Sequence, residues 1–283
     1  MMSGYRGRIA PSPTGFLHLG HAATFLRAAR RCEAASGVMV YREEDLDGPR
    51  CRLEYALAAR EDLRWLGIRW AEGPDEGGPV GPYVQSERLA LYRERLKELI
   101  RAGCVYPCIC TRGDIARALG APHEGDDEPV YPGTCRGRLV GDVENPAIFG
   151  QNWRFRVPFG RRVSFHDGFR GACETVAGRD FGDFLVWRRD GFPSYQLAVV
   201  VDDALMHISE VVRGEDLITS TFRQILLYEA FSLIAPAFAH APLVRDAFGK
   251  RLAKRDDARS IRALRASGQS AAEIVALCVG EER

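Results

Sequence analysis

The residues best suited to chemistry are two histidines three positions apart, His18 and His21, in the stretch RIAPSPTGFLHLGH that begins at Arg8. Pro11, Pro13 and Gly15 forbid a helix before Leu17, whereas Ala22 to Ala35 is helical in composition and is stopped by Gly37. The pair therefore stands at a helix start, where backbone N–H groups are unpaired and an anion is favoured. Gly20 has no side chain to keep such an anion away, and both imidazoles can donate to it. The chemistry this predicts is phosphate binding. An isolated HxGH equally describes an ordinary strand-to-helix turn, so other stretches must decide.

Thiols supply a second constellation. Cys108-Ile109-Cys110, then twenty residues, Tyr131, three residues and Cys135 cluster as a zinc site does, but with three thiolates where a structural site has four ligands. Tyr131, Cys104, His123 or water could complete the tetrahedron. One structural Zn2+ per chain is expected, contributing on the order of 10 kcal/mol to a region with little core of its own. The bland alternative is a set of free thiols in a strand turn. The other cysteines, Cys32, Cys51, Cys173 and Cys278, are scattered and read as small hydrophobes.

Charge adds a third signal. A net charge of +1 gives no overall attraction to nucleic acid, so any such contact needs a local basic surface. Arg245 to Arg265 holds eight Lys/Arg against three aspartates. Among 39 basic residues only Lys97, Lys250 and Lys254 are lysine, and two of those three fall in this patch. A flexible point charge rather than a planar fork is selected there. No apolar run of membrane-spanning length and no signal-peptide core is present, so a cytoplasmic protein without membrane contact is expected.

The elements that must position these groups alternate between strand and helix. VMVYREEDLDGPR begins as a strand after the first helix, so the chain opens as β-turn-α-β, and in a parallel sheet the ligand crevice lies beyond the carboxyl strand ends. Strand alternation puts Arg42 and Glu44 on one side and Glu43 on the other. Residues 51–67 and 86–102 read as amphipathic helices ended by Gly67 and Gly103. Short extended runs rich in turn residues follow, and α/β character returns from Phe181. The predicted fold class is α/β: residues 1–103 form the first half of a catalytic domain, 104–186 an inserted zinc-containing domain, 187–240 the second half, and 241–283 a lysine loop with a short helical C-terminal segment.

In this order, RIAPSPTGFLHLGH, REEDLD, the pair SYQLAVVVDDALM and VVRGEDL, and GKRLAKRD resemble the catalytic core of the class I glutamyl-tRNA synthetases over nearly the whole chain. HLGH matches the family's HIGH signature, and RLAKR takes the place of its KMSKS loop. The resemblance implies a Rossmann-type parallel sheet, with Mg2+-ATP and L-glutamate as substrates. It further implies that His18, His21 and Lys254 are catalytic, with Lys254 stabilising the departing pyrophosphate. ATP would be held by Pro11, His18, Gly20, His21, Arg251, Leu252 and Lys254. Glutamate would be held by Arg8, Ile9, Ala10, Pro11, Ser12, Glu44, Tyr195 and Arg213.

The chain departs from the full-length family in ending about thirty residues after the lysine loop, where a long anticodon-binding region would continue. The length, the core and the CxC…Y…C cluster are similar to a shortened branch that loads glutamate onto queuosine, the modified wobble base of tRNA(Asp). That branch implies tRNA(Asp) bearing queuosine as partner, a monomer, and Cys108, Cys110, Tyr131 and Cys135 as metal ligands. Ala253 replaces the serine of the lysine loop, and the interval from Cys110 to Tyr131 is long for the family. Two other readings compete: a truncated glutamyl-tRNA synthetase charging tRNA(Glu), and an inactive tRNA-binding paralogue.

Glutamate needs two carboxylates and one ammonium satisfied in a desolvated pocket. Arg8 and Arg213 offer bidentate forks, Glu44 a counter-charge, and Tyr195 and Ser12 neutral hydrogen bonds. Which arginine takes the side-chain carboxylate stays open at this point. Taken singly, each of these residues is also explicable as a structural ion pair or an ordinary strand residue.

Overall fold

The computed structural model describes residues 4–111, 113–115, 130–243 and 260–279. Strand β1 (Arg6–Ile9) and strand β2 (Val38–Tyr41) pair in parallel from Arg6 opposite Val38 to Ile9 opposite Tyr41, with helix α1 (Leu19–Ala34) crossing between them. The helix ends through Ser36, at φ +47°, rather than through glycine. Gly37 serves close packing instead, because a Cβ there would lie 2.6 Å from the Tyr5 carbonyl oxygen.

Helix α2 (Leu53–Trp65) and helix α3 (Leu89–Arg101) follow as the amphipathic pattern predicts. A single 3₁₀ turn, Gln85–Arg88, stands where the sequence suggested the start of α3. Strands β3 (Val105–Cys108), β4 (Asn152–Phe155) and β7 (Leu185–Trp187) make a small antiparallel sheet, and β5 (Arg162–Asp167) and β6 (Gly171–Val176) form a hairpin. Helix α4 (Tyr195–Leu205), strand β8 (Glu210–Gly214), helix α5 (Ile218–Ala230) and strand β9 (Ala237–Ala241) complete a second parallel unit. Helices α6 (Ile261–Ala266) and α7 (Ala271–Val279) close the described chain.

The two parallel units abut where Ser209 N–H donates to the Arg6 carbonyl at 2.9 Å, setting β8 beside β1. On the far side β9 meets β5, with Asp167 opposite Phe238. The hairpin within residues 104–186 therefore extends the parallel sheet instead of standing apart from it. Burial explains this: Val163 of β5 and Phe238 of β9 share one apolar core with Trp153, Phe155 and Trp187 of the small sheet, Leu96 of α3, Leu197 and Val200 of α4, and Phe222 of α5. Tyr106, Cys108, Tyr131 and Cys135 form a separate small buried group. A further core, including Ile9, Leu17, Phe25, Val212, Ile261 and Ile274, clamps α1 between β1 and the C-terminal helices. Among the described residues no helix is long and apolar enough to cross a membrane.

Candidate active site

The loop from Ala10 to Leu17 carries the chain from the end of β1 to α1, and His18 caps that helix. The His18 ring accepts the Gly20 N–H through Nδ1 at 3.1 Å, while Nδ1 of His21 faces the His18 N–H at 3.4 Å. These reciprocal bonds take up backbone donors at the helix start, as a capping box does. They also fix chemistry, because a neutral ring that accepts at Nδ1 carries its proton on Nε2. Both imidazoles are thereby donors at Nε2, and they stack with centroids 3.8 Å apart. Gly20 lies against this pair: a Cβ on it would be 3.0 Å from Cε1 of His18.

Beyond β1 and β2 a group of guanidinium and carboxylate side chains is buried together. Arg42, fully buried, donates to Asp203 Oδ1 at 2.6 Å and to Glu44 Oε1 at 2.9 Å. Arg8 donates to the Val212 carbonyl at 3.0 Å and lies 3.7 Å from Asp203 Oδ1. Asp202 takes hydrogen bonds from Arg88, Gln85 and Tyr92, at 2.7 to 2.8 Å. Burial pushes the Glu44 carboxyl above its usual range despite Arg42, and it holds the Arg8 guanidinium below its ordinary value against the pull of Asp203.

Arg213 differs from its neighbours. It is buried, and its partners are all neutral: Tyr195 hydroxyl at 3.1 Å, Thr221 Oγ1 at 2.6 Å, Gln224 Oε1 at 2.8 Å and His240 Nε2 at 3.3 Å. Among the described residues no carboxylate touches it. Tyr195, at the first position of α4 behind the Ser194 cap, is more than a third exposed, so the Arg213 cluster reaches solvent on this side. It is a helix residue, which sets aside the alternative of an ordinary strand residue, because the Ser194 hydroxyl accepts the Leu197 N–H and starts the helix there.

The thiol group is set by β3 and the turn near Cys135. Sγ atoms of Cys108, Cys110 and Cys135 lie within 4.8 Å of one another, with Cys110 and Cys135 3.6 Å apart. Tetrahedral Zn–S bonds of about 2.3 Å would put sulfurs roughly 3.8 Å apart, so these donors fit a small soft cation. Tyr131 brings its hydroxyl 3.3 Å from Cys110 Sγ and 3.5 Å from Cys108 Sγ, while it accepts the Cys135 N–H at 3.0 Å. Arg154 donates to Cys108 Sγ at 3.3 Å and lies 4.0 Å over the Tyr131 ring, a cation placed to offset thiolate charge. Burial raises the Cys135 thiol, but hydrogen bonds from the Ile109 backbone, Tyr131 and the other two cysteines outweigh it and bring it to about 7. Cys104 stands outside this group, with its thiol directed to the Ala102 carbonyl.

Residues 5–279 match the family described as tRNA synthetases class I (E and Q), catalytic domain. The chain belongs to this family. Among its relatives is a glutamyl-Q tRNA(Asp) synthetase from Nitratidesulfovibrio vulgaris, 47% identical over 95% of this chain and 83% of that protein. Another of the same name, from Symbiobacterium thermophilum, is 46% identical over 95% of this chain and 84% of its own length. A glutamate tRNA ligase from Elizabethkingia meningosepticum, solved in complex with its amino acid, superposes with a TM-score of 0.77 at 31% identity, over 90% of this chain and 52% of that one.

Within this family's fold the structure brings Arg8, Glu44, Tyr195 and Arg213 together, and it sets His18, Gly20 and His21 against one another at the start of α1. Ile9 and Pro11 give their carbonyls to the N–H groups of Arg42 and Glu44, which holds Glu44 against the β1 end. Ala10 is half-buried in this loop and Ser12 is exposed. Arg251, Leu252 and Lys254, like Lys250 and His123, lie outside the described residues. The chain re-enters at Ser260, which bridges to His18, and Ile261 N–H donates to the Leu17 carbonyl at 2.7 Å.

Sequence reasoning missed Arg42, Asp203, Thr221, Gln224, His240 and Asp167. One signal was available: Asp202 and Asp203 interrupt the apolar run LAVVV–ALM, and acids inside such a run must be paired when buried.

Proposed function

We propose that the chain activates L-glutamate with Mg2+-ATP to glutamyl-adenylate and transfers the glutamyl group to queuosine at the wobble position of tRNA(Asp), in the cytoplasm. The observation that carries the glutamate assignment is Arg213, a buried guanidinium whose partners are all neutral. A cation so placed is most strongly satisfied by a substrate carboxylate. The acceptor assignment is supported by the names of the relatives that the chain covers over most of their length.

Each role follows from an atom. Arg213 takes the substrate side-chain carboxylate together with the Tyr195 hydroxyl, whose proton is left to donate because its oxygen accepts from Arg213. Arg42 bonds Glu44 through Oε1, leaving Oε2 to the substrate ammonium. Arg8, Ser12 and the loop of Ile9, Ala10 and Pro11 frame the reacting carboxylate. That carboxylate attacks the α-phosphorus of ATP, a P–O bond forms as the bond to pyrophosphate breaks, and charge grows on the phosphoryl oxygens. The imidazoles of His18 and His21, held at the start of α1, are placed to donate to that charge, and Lys254 meets the leaving pyrophosphate. Zn2+ on Cys108, Cys110, Tyr131 and Cys135 serves as a structural staple for residues 104–186. The test of activation is glutamate-dependent ATP–pyrophosphate exchange without tRNA. Exchange with glutamate, and far less with glutamine or aspartate, is expected; equal exchange with glutamine would overturn the role of Arg213.

A further inference from the structure

Arg213 is set in place by groups that reach back into the hairpin β5–β6. Asp167, the last residue of β5, accepts N–H bonds from Phe169, Arg170 and His240 and receives Nδ1 of the His240 ring at 2.5 Å. An ionised carboxylate on Nδ1 fixes the proton there, so Nε2 of His240 presents a lone pair. That lone pair faces Thr221 Oγ1 at 2.8 Å and Arg213 Nε at 3.3 Å. Thr221 donates to His240 and accepts Arg213 Nη2.

We propose that Asp167, His240 and Thr221 form a positioning relay that orients Arg213 toward a substrate carboxylate without discharging it. The nearest anion to Arg213 in this relay is one imidazole ring away. A carboxylate directly on the guanidinium would neutralise the charge that the substrate must meet; neutral partners supply orientation and leave that charge to the ligand. Burial and the neighbouring Arg213 hold the His240 ring at about pKa 4, so it stays an acceptor through the neutral range. Four of the five guanidinium N–H donors are engaged, Nε by His240, one on Nη1 by Tyr195 and both on Nη2 by Thr221 and Gln224, which fixes the orientation and leaves the second Nη1–H, beside the Tyr195 hydroxyl, for a ligand. The hairpin thus carries a residue that supports amino-acid selection, although its sequence lies within the stretch predicted to be an insertion.

The inference rests on Arg213 binding a substrate carboxylate, and its test separates the two. Thr221→Val keeps the shape and removes the hydroxyl between His240 and Arg213; Thr221→Ser keeps the hydroxyl. In glutamate-dependent ATP–pyrophosphate exchange, Thr221→Val should raise KM for glutamate roughly tenfold to a hundredfold, with KM for ATP and kcat within about threefold of wild type, and Thr221→Ser should restore it. His240→Phe, with folding checked by melting, should behave as Thr221→Val does; if it does not fold, the Thr221 pair decides. An unchanged KM for glutamate in Thr221→Val, with normal exchange in the wild type, would overturn the relay alone. Absence of glutamate-dependent exchange in the wild type would overturn the proposed function and the relay with it.

Discussion

Gly20→Ala should separate stability from catalysis. Gly20 is the second residue of α1, a position where alanine is the better helix former by up to about 1 kcal/mol. The added Cβ would lie 3.0 Å from Cε1 and 3.2 Å from Nδ1 of His18, so the ring must shift by a few tenths of an ångström. That shift weakens the His18 cap, worth about 1 kcal/mol, so the two effects nearly cancel in the melting temperature. Catalysis has no such compensation. Misplacing a reacting or stabilising group by about 1 Å costs on the order of a hundredfold, and a displacement of this size should lower kcat for adenylate formation on the order of tenfold. Melting and ATP–pyrophosphate exchange on the same preparation read both quantities. Normal kcat in a normally folded Gly20→Ala protein would refute the placement of His18 in the phosphate site.

Lys254→Ala should slow pyrophosphate release roughly a hundredfold or more and Lys254→Arg should also slow it, with KM for glutamate unchanged in both; normal pre-steady-state rates would remove Lys254 from the mechanism. Metal analysis should give about one zinc per chain, and Cys108→Ser should loosen residues 104–186 before the core, as read by hydrogen exchange; a metal-free protein with an unchanged melting profile would contradict the staple. Asp62 is fully buried with neither oxygen hydrogen-bonded, and burial raises its pKa to about 6. A raised carboxyl binds its proton more tightly in the folded state, so stability is lost as the pH rises from about 4 through 6, by at most about 3 kcal/mol. Stability of Asp62→Asn relative to wild type should therefore grow across that window in denaturant titrations, and pH-independent differences would refute the assignment.

The histidine turn was legible because its parts are local: prolines, a glycine, a cap and a helix start lie within a dozen residues. The family resemblance named Arg8, Glu44, Tyr195 and Arg213 as one set, and the fold does place them near one another; spacing and resemblance together named Tyr131, which lies among the thiols. The support of Arg213 was not legible. Asp167 and His240 are more than seventy residues apart, and they meet only because β5 joins β9 in parallel. Nothing in the hairpin sequence RRVSFHDGF announces that partner, since strand pairing at long range is settled by burial of both faces and not by local pattern. Arg42 read as one step of strand alternation, although it is the fully buried hub that joins Glu44 to Asp203.

The central claim, glutamate activated here and delivered to a modified anticodon base, is tested most directly by the acceptor. Radiolabelled glutamate, ATP and the protein should be incubated with tRNA(Asp) carrying queuosine, tRNA(Asp) lacking it, and tRNA(Glu). The account predicts label on the queuosine-bearing tRNA(Asp) alone; equal labelling of both tRNA(Asp) forms, or labelling of tRNA(Glu) alone, would contradict it.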